Sequence, residues 1–379
     1  MSAVLEFCQS QHPWLVATIE ALVRLESPTT DKAALDACSA GISRRLRGIG
    51  ANVERLTQRE AGDHLRAEFG TGATQVLLLC HFDTVWPVGQ LERMPLRQED
   101  GRLHGPGTLD MKAGIAIGML AARALSETGA MPASRIVMLL TSDEETGSRT
   151  SRALIEEEAR RSRAVLVLEP SLPGGGVKTQ RKGCGEFELT VRGVAAHAGI
   201  DPGTGASAIH ELARQVLALE HLRSPERGIS VNVGTITGGT RTNVVADEAR
   251  AGVDVRVATL DDARRVEAAV RGLRPFLKDT RLEISGGVDR PPLERSAGVA
   301  RLYGMARDVA SSLGLGELAE GATGGGSDGN FTAAIGVPTL DGLGAIGDGA
   351  HALHEHVELA LLAGRAALVA GLIARIGAA

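Results

Sequence analysis

This 379-residue chain has few aromatic side chains and no excess of basic charge. Aromatic residues make up 2% of it, too few for the stacking platforms on which single-stranded nucleic acids bind. The 41 basic residues are outnumbered by 46 acidic ones, and no basic face or lysine-rich tail stands out. We therefore expect no nucleic-acid partner.

Clustered cysteines and long apolar runs are also missing. The four cysteines form no CxxC pair and are widely separated, at Cys8, Cys38, Cys80 and Cys184. Scattered cysteines favour reduced thiols and a cytoplasmic location. The N-terminus lacks a basic segment followed by an apolar one, so the sequence predicts no secretion signal. No uninterrupted run of 18 apolar residues is present, so we expect no membrane span and no membrane partner.

Alternating apolar segments indicate the fold class. Continuous apolar runs, typical of strands buried on both faces, occupy 75–80, 135–142, 164–169 and 337–342. Helical spacing lies between them, so the sequence predicts an α/β layer fold. Residues 183–291 instead follow the order βαββαβ of ferredoxin-like domains. We expect a catalytic domain from 1–182 and 292–379, interrupted by this inserted domain.

Metal-ligand residue types stand at the ends of the predicted buried strands. "LLLCHFDTV" ends in His81, "VMLLTSDEE" ends in Glu144 and Glu145, and "AVLVLEP" ends in Glu169. Asp110 follows a glycine turn in "GPGTLDMK". Because acidic groups that converge at one sheet edge repel one another, their clustering makes physical sense if cations hold them.

A ligand set of one histidine and several carboxylates contains too many oxygen donors for a structural zinc site. It fits a two-metal hydrolytic centre. Asp110 is the candidate bridge between the metals. Glu144 and Glu145 cannot both aim at one atom in an extended segment, so one would bind metal and the other would serve as general base toward a bound water. Asp83, two residues after His81, would orient the imidazole. Taken singly, each acidic residue is more often a helix cap, a turn former or a surface group.

The order of "HFDTV", "GPGTLDMK", "TSDEETGS", "LEP" and "GAHALHE" resembles the two-zinc amidohydrolase family. That family includes acetylornithine deacetylases, succinyl-diaminopimelate desuccinylases, aminoacylases, dipeptidases and glutamate carboxypeptidases. The resemblance extends over nearly the whole chain. It implies a central mixed, mostly parallel sheet, an inserted α+β lid through which the protein forms a homodimer, and two Zn²⁺ per subunit, with Co²⁺ or Mn²⁺ as alternatives.

The resemblance also implies roles for the strand-end residues. His81 and Glu169 would each bind a different zinc, and Asp110 would bridge the two. Glu145 would bind the zinc opposite His81, and Glu144 would be the general base.

The last metal ligand would be a histidine of the "GAHALHEH" segment. The resemblance favours His351, which Glu355 follows four residues later. His354 and His356 are rivals in the same segment, and we expect them to face solvent or to pack.

Substrate-binding residues are implied in and beside the inserted domain. His197 matches a histidine that reaches the partner subunit's active site and polarises the scissile carbonyl. Asn243 matches a second donor to the oxyanion, and Arg256 a residue that grips a carboxylate. Arg290 in "VDRPPLE" and Gly326 in "TGGGSDGNF" resemble substrate-contacting positions of glutamate-releasing carboxypeptidases. The alternatives are a surface histidine at 197 and an interdomain salt bridge at 290.

The leading interpretation is a metal-dependent hydrolase that cleaves an amide or peptide bond next to a free carboxylate, using a water activated by Glu144. Its substrate would be a small N-acyl amino acid or a peptide, as in glutamate carboxypeptidases. A deacylase of the acetylornithine or succinyl-diaminopimelate type is the enzymatic alternative. A protein that binds metal or ligand without catalysis is the alternative from another class.

Overall fold

The computed structural model describes residues 2–378. The chain divides into two compact units, which we call the large and the small unit. The large unit comprises Met1–Gln180, Arg295–Ala322 and Ser327–Ala379, and the small unit comprises Arg181–Glu294 and Thr323–Gly326. The short return of the chain to the small unit at Thr323–Gly326 was not predicted from the sequence.

Sixteen strands are present among the described residues. They are β1 Asn52–Leu56, β2 His64–Phe69, β3 Gln75–His81, β4 Arg97–Glu99, β5 Arg102–His104, β6 Arg135–Thr141, β7 Ser162–Val167, β8 Val177–Arg181, β9 Gly183–Arg192, β10 Ser230–Gly238, β11 Glu248–Val257, β12 Arg281–Arg290, β13 Glu320–Thr323, β14 Thr339–Leu340, β15 Gly347–Asp348 and β16 His356–Glu358.

Eleven α-helices accompany them in the same residues. They are α1 Ser2–Ser10, α2 His12–Val23, α3 Lys32–Gly48, α4 Gln90–Arg93, α5 Ala113–Glu127, α6 Arg152–Arg160, α7 Ala208–Glu220, α8 Leu260–Arg271, α9 Ala297–Ser312, α10 Gly329–Ala334 and α11 Leu362–Ala378.

The central sheet of the large unit has the strand order β1-β2-β6-β3-β7-β14. The pairs β6–β3, β3–β7 and β7–β14 are parallel, whereas β1–β2 and β2–β6 are antiparallel. The expected mixed, mostly parallel α/β sheet is therefore confirmed. Two smaller sheets have the strand orders β15-β16-β5-β4 and β13-β8.

Strand β3 shows why its sequence is apolar without interruption. Leu78 and Cys80 pack into one cluster with residues of α5 and α11, while Leu77 and Leu79 pack into another with α6 and α10. Helices therefore cover both faces of the sheet, and polar side chains are tolerated only where the strand ends. Cys80 lies in the core, as predicted, and all four cysteines are free thiols.

Helix α11 is the central helix of the large unit. Among the described residues, Leu359–Ala378 is the one helical segment long and apolar enough to cross a membrane, and 67% of an apolar 18-residue stretch within it is buried inside the protein. It packs against α5, α1 and α9. These contacts explain its apolar composition by burial in the core.

The small unit follows the predicted order βαββαβ. Its antiparallel sheet has the strand order β10-β11-β9-β12, and α7 packs against β9, β10 and β11. Alternate residues of β9 and β11, among them Leu189, Val191 and Val253, form a separate apolar core with the inner faces of α7 and α8. Strand β10 lies at the edge of this sheet.

Candidate active site

Two groups of metal-ligand side chains meet at the carboxyl edge of the central sheet, and they share Asp110. In the first, His81 Nε2 lies 3.1 Å from Asp110 Oδ1 and 3.4 Å from Glu169 Oε1. In the second, His351 Nε2 lies 3.4 Å from Asp110 Oδ2 and 3.2 Å from Glu145 Oε1. Because each oxygen of Asp110 faces a different group, its carboxylate stands between two adjacent sites.

Strand register explains which ligands meet. Strands β3 and β7 pair in parallel with Leu79 opposite Val167, so His81 and Glu169, two residues further along each strand, come together. The sequence-based assignment of these two residues to different metals was therefore wrong. Glu145 instead follows β6, on the other side of β3, and faces His351.

Asp83 joins the first group to the Glu144–Glu145 turn. Its carboxylate accepts hydrogen bonds from the backbone N–H of Glu144 and of Glu145, at 3.3 and 3.1 Å, and from Thr29 Oγ1 at 2.8 Å. Its Oδ1 lies 3.4 Å from His81 Nδ1. The two glutamates lie in the 3₁₀ turn Glu144–Thr146, not in the extended segment assumed from the sequence. Glu144 lies beside Glu145 but belongs to neither ligand group.

The three histidines of the "GAHALHEH" segment have different surroundings. His351 adopts a left-handed backbone conformation with φ of 61° and turns its ring toward Glu145. His354 is exposed. His356 is buried, and its ring lies 5.2 Å from that of His104. Of the three, only His351 reaches the ligand groups.

The charges at this edge favour a bound cation. Burial alone would lower the pKa of His81, but Asp110 and the other two carboxylates around its ring raise it well above the usual value. Hydrogen bonds to Asp110 and Glu145 raise the pKa of His351 to about 10. Without a metal ion, the carboxylates thus favour the protonated form of both imidazoles, and a divalent cation would take the place of those protons.

The donor set fits divalent metal ions. Each group offers one imidazole nitrogen and carboxylate oxygens, all of which lie within 4.8 Å of one another. Imidazole and carboxylate together suit zinc and related divalent ions, and a carboxylate shared by two groups is typical of two-metal hydrolases.

Glu355 also belongs to this site, but its hydrogen bonds to the turn that carries Asp110 were not predicted from the sequence. Its side chain is fully buried and accepts hydrogen bonds from the backbone of the turn that carries Asp110. Burial raises the pKa of Glu355 to about 7 against the opposing effect of these N–H donors. The four-residue spacing from His351 was the one sequence signal that pointed to it.

In the small unit, His197 and Asn243 lie side by side. The backbone N–H of Ala198 donates to the carbonyl of Asn243. The side chains of His197 and Asn243 are both exposed. His197 Nδ1 accepts from the N–H groups of Gly199 and Ile200, each at 3.1 Å. The neutral ring therefore carries its proton at Nε2, which can act as a hydrogen-bond donor.

Arg256, Cys184 and Arg290 occupy one row across three neighbouring strands of the small unit. Cys184 pairs with Arg256 on β11 and with Arg290 on β12, so the three side chains share a face. A Cβ added to Gly326 would lie 2.6 Å from Arg290 Cδ, so a larger residue there would displace this arginine. We call these four residues the arginine cluster. Arg256 already donates to the carboxylate of Asp254.

Comparison with known proteins now decides the family. The profile described as "Peptidase family M20/M25/M40" matches residues 77–375. The chain belongs to this family. Carboxypeptidase G2 of Pseudomonas sp. (strain RS-16) is 29% identical over 97% of this chain and 90% of its own length. Succinyl-diaminopimelate desuccinylase of Xanthomonas euvesicatoria pv. vesicatoria (strain 85-10) is 32% identical over 89% of this chain and 93% of its own length.

A solved structure shows the same fold. It is the YXEP protein of Bacillus subtilis, described as a dinuclear metal binding peptidase from the M20 family, with a TM-score of 0.70, 15% identity and coverage of 97% and 99% of the two chains. Family membership makes this protein a metal-dependent hydrolase of amide bonds, and that part of the prediction is confirmed.

Proposed function

We propose that this hydrolase works with two divalent ions, zinc in the native protein. His81, Asp110 and Glu169 would hold one ion, and Asp110, Glu145 and His351 the other. The observation that carries this proposal is the bridging geometry of Asp110, whose Oδ1 lies 3.1 Å from His81 Nε2 and whose Oδ2 lies 3.4 Å from His351 Nε2. When bound, two such ions supply Lewis acidity to a scissile carbonyl and to a nucleophilic water.

The chain's own residues supply the proton transfers. Glu144 takes a proton from the attacking water as the new C–O bond forms, and it returns that proton to the leaving nitrogen as the C–N bond breaks. The products are a carboxylic acid and an amine. His197, through its Nε2–H, and Asn243 donate to the carbonyl oxygen while that oxygen gains negative charge. Asp83 keeps His81 and the Glu144 turn in place.

We further propose that the substrate is an N-acyl amino acid or peptide that ends in glutamate or a similar dicarboxylate. The arginine cluster supports this, since two guanidinium groups on one face suit carboxylates. Arg256 shares its charge with Asp254, so a substrate carboxylate at this residue would compete with that ion pair. Arg290 is 8% exposed and lies beside Gly326 in the same cluster.

Replacing Arg290 by alanine is expected to raise KM for N-acyl-glutamates about 10- to 100-fold with little change in kcat. A charge-assisted hydrogen bond contributes about 1.5–3 kcal/mol, and this one would act on substrate and transition state alike. Steady-state kinetics on an N-acyl-glutamate would measure it. Arg250→Ala is the matched control, because this exposed arginine of β11 pairs with Glu248. An unchanged KM in Arg290→Ala would contradict the proposed contact.

A desuccinylase-type or acetylornithine-type deacylase is the second candidate. The 32% identical desuccinylase relative favours it. Turnover of N-acyl-glutamates, glutamyl peptides, acetylornithine and N-succinyl-diaminopimelate should be compared on one enzyme preparation. If the deacylase substrates turn over while N-acyl-glutamates are inert, the second candidate replaces the first.

We also propose a homodimer formed through the small unit. Strand β10 is an open sheet edge that carries Ile236, 58% exposed, and helix α7 presents Leu217, 60% exposed. An open edge and apolar side chains of this kind are usually covered in a soluble protein. In such a dimer His197 would serve the partner subunit's site. The four free thiols are consistent with the cytoplasm as its location.

The double variant Ile236→Glu/Leu217→Glu is expected to sediment as a monomer and to lose about 100-fold or more in kcat. Loss of one oxyanion donor costs about 10²–10³ in kcat. Leu361→Glu, an exposed apolar residue of the large unit, is the control and should stay dimeric. A fully active monomer would rule out the role of His197 in the partner's site.

A further inference from the structure

We propose that Glu355 is a positioning residue that holds the bridging carboxylate of Asp110 in place for both metal ions. This inference rests on the proposed two-metal function and assigns a task to a residue outside both ligand groups. Glu355 is 0% exposed and lies four residues after His351. It is connected by hydrogen bonds to the segments that carry three of the ligands.

Four N–H groups converge on this one carboxylate. Its Oε1 accepts from the backbone of Leu109 at 2.9 Å and of Asp110 at 3.1 Å. Its Oε2 accepts from the backbone of Gly107 at 2.8 Å and from Trp86 Nε1 at 2.9 Å. A carboxylate offers about four lone-pair sites, so the hydrogen-bonding capacity of Glu355 is fully used.

The hydrogen bonds act where the chain has no regular structure of its own to fix it. Asp110 has non-helical φ and ψ of −112° and 97°, and Gly107 has a positive φ of 70°. Backbone N–H groups of such a turn form a concave site for an anion. The Glu355 side chain fills this site and thereby sets the position from which the Asp110 side chain extends toward His81 and His351.

Glu355 also connects the other ligand segments to this turn. Its own backbone carbonyl accepts from Gly105, and its own N–H donates to Ala352, next to His351. Trp86, which donates to the side chain, follows Asp83 and His81 by a few residues. One buried residue, through its carboxylate and its backbone, therefore ties together the segments that carry His81, Asp110 and His351.

Glutamine cannot replace this carboxylate. An amide of the same shape accepts hydrogen bonds only through its oxygen, and its NH₂ would face two of the four N–H donors. Glu355→Gln is therefore expected to weaken metal binding about 10- to 100-fold, the usual effect of losing a residue that orients metal ligands. Its kcat should fall at a given free metal concentration, while KM stays within about twofold because Glu355 lies outside the proposed substrate contacts.

The experiment is a competition for Zn²⁺ or Co²⁺ between the dimetal site and a chromophoric chelator, with the visible spectrum of the Co²⁺ protein as a second readout. Glu358→Gln is the matched control, since Glu358 lies three residues away, pairs with Arg102 at the surface and should bind metal like wild type. A folded Glu355→Gln protein with wild-type metal affinity and an unchanged Co²⁺ spectrum would overturn the proposal.

If Glu355→Gln does not fold, Trp86→Phe provides the test, because it removes one donor and keeps the carboxylate. Loss of one hydrogen bond to the carboxylate is expected to lower metal affinity by a factor of about 2 to 10. Unchanged affinity in Trp86→Phe would then overturn the proposal. Failure of wild type itself to bind divalent metal would instead reject the proposed two-metal function, so the two failures are distinguishable.

Discussion

Replacing Glu144 by glutamine is expected to lower kcat about 10³- to 10⁴-fold while the protein keeps its bound metal. The amide has nearly the same shape but cannot take a proton from water, and a positioned general base contributes about 10²–10⁴ in rate. Glu144 stands outside both ligand groups, so its replacement leaves every proposed metal ligand in place. Metal content and kcat should be measured on the same preparation.

Glu157→Gln is a suitable control for that experiment. Glu157 is an exposed glutamate of α6 that pairs with Arg161 at the surface. Its replacement should leave both the metal content and kcat unchanged. If Glu144→Gln retained wild-type kcat, the assignment of the base would be wrong. If wild type carrying its metal hydrolysed none of the acylated substrates, a binding protein without catalysis would be the better description.

Asp110→Asn is expected to abolish activity by removing the bridge between the two metal ions. The amide oxygen can face one group, but the nitrogen that replaces the second carboxylate oxygen carries hydrogens and no negative charge. The variant should therefore hold at most one ion tightly per subunit, against two in wild type. Elemental analysis after dialysis against a weak chelator would measure this.

Metal removal from wild type should reproduce the same loss. Dialysis against a strong chelator is expected to leave no measurable turnover, and added Zn²⁺, Co²⁺ or Mn²⁺ should restore it. Asp308→Asn controls for loss of an aspartate, because Asp308 pairs with Arg375 at the surface. Full activity of Asp110→Asn, or of the chelated protein, would contradict the two-metal proposal.

Much of the fold was predictable because its signals are local. The uninterrupted apolar run of β3 predicts a strand that is buried on both faces. In the structure, its side chains pack into a core on each face of the sheet. The alternating strands of the small unit likewise predicted its βαββαβ order. The return of Thr323–Gly326 to the small unit was not predictable in this way, since a short glycine-rich loop carries no periodic pattern.

The sequence indicated which residues make up the candidate site, but not which of them lie together around each metal. His81, Asp110, Glu145 and Glu169 stood out because polar groups at the ends of buried strands are costly without a partner. The grouping of Glu169 with His81 depends on β7 lying beside β3 in a particular register, and the sequence-based assignment had it wrong.

Local sequence pattern thus specified the strands, the helices and the kinds of side chain at the edge of the sheet, because burial and backbone preference act within a few residues of the chain. Tertiary structure alone decided which side chains meet. One oxygen of Asp110 faces His81, 29 residues before it, and the other faces His351, 241 residues after it. Glu355 accepts a hydrogen bond from the backbone of Asp110, 245 residues earlier in the chain. Contacts at such separations depend on strand order, register and loop path, which a linear pattern does not encode.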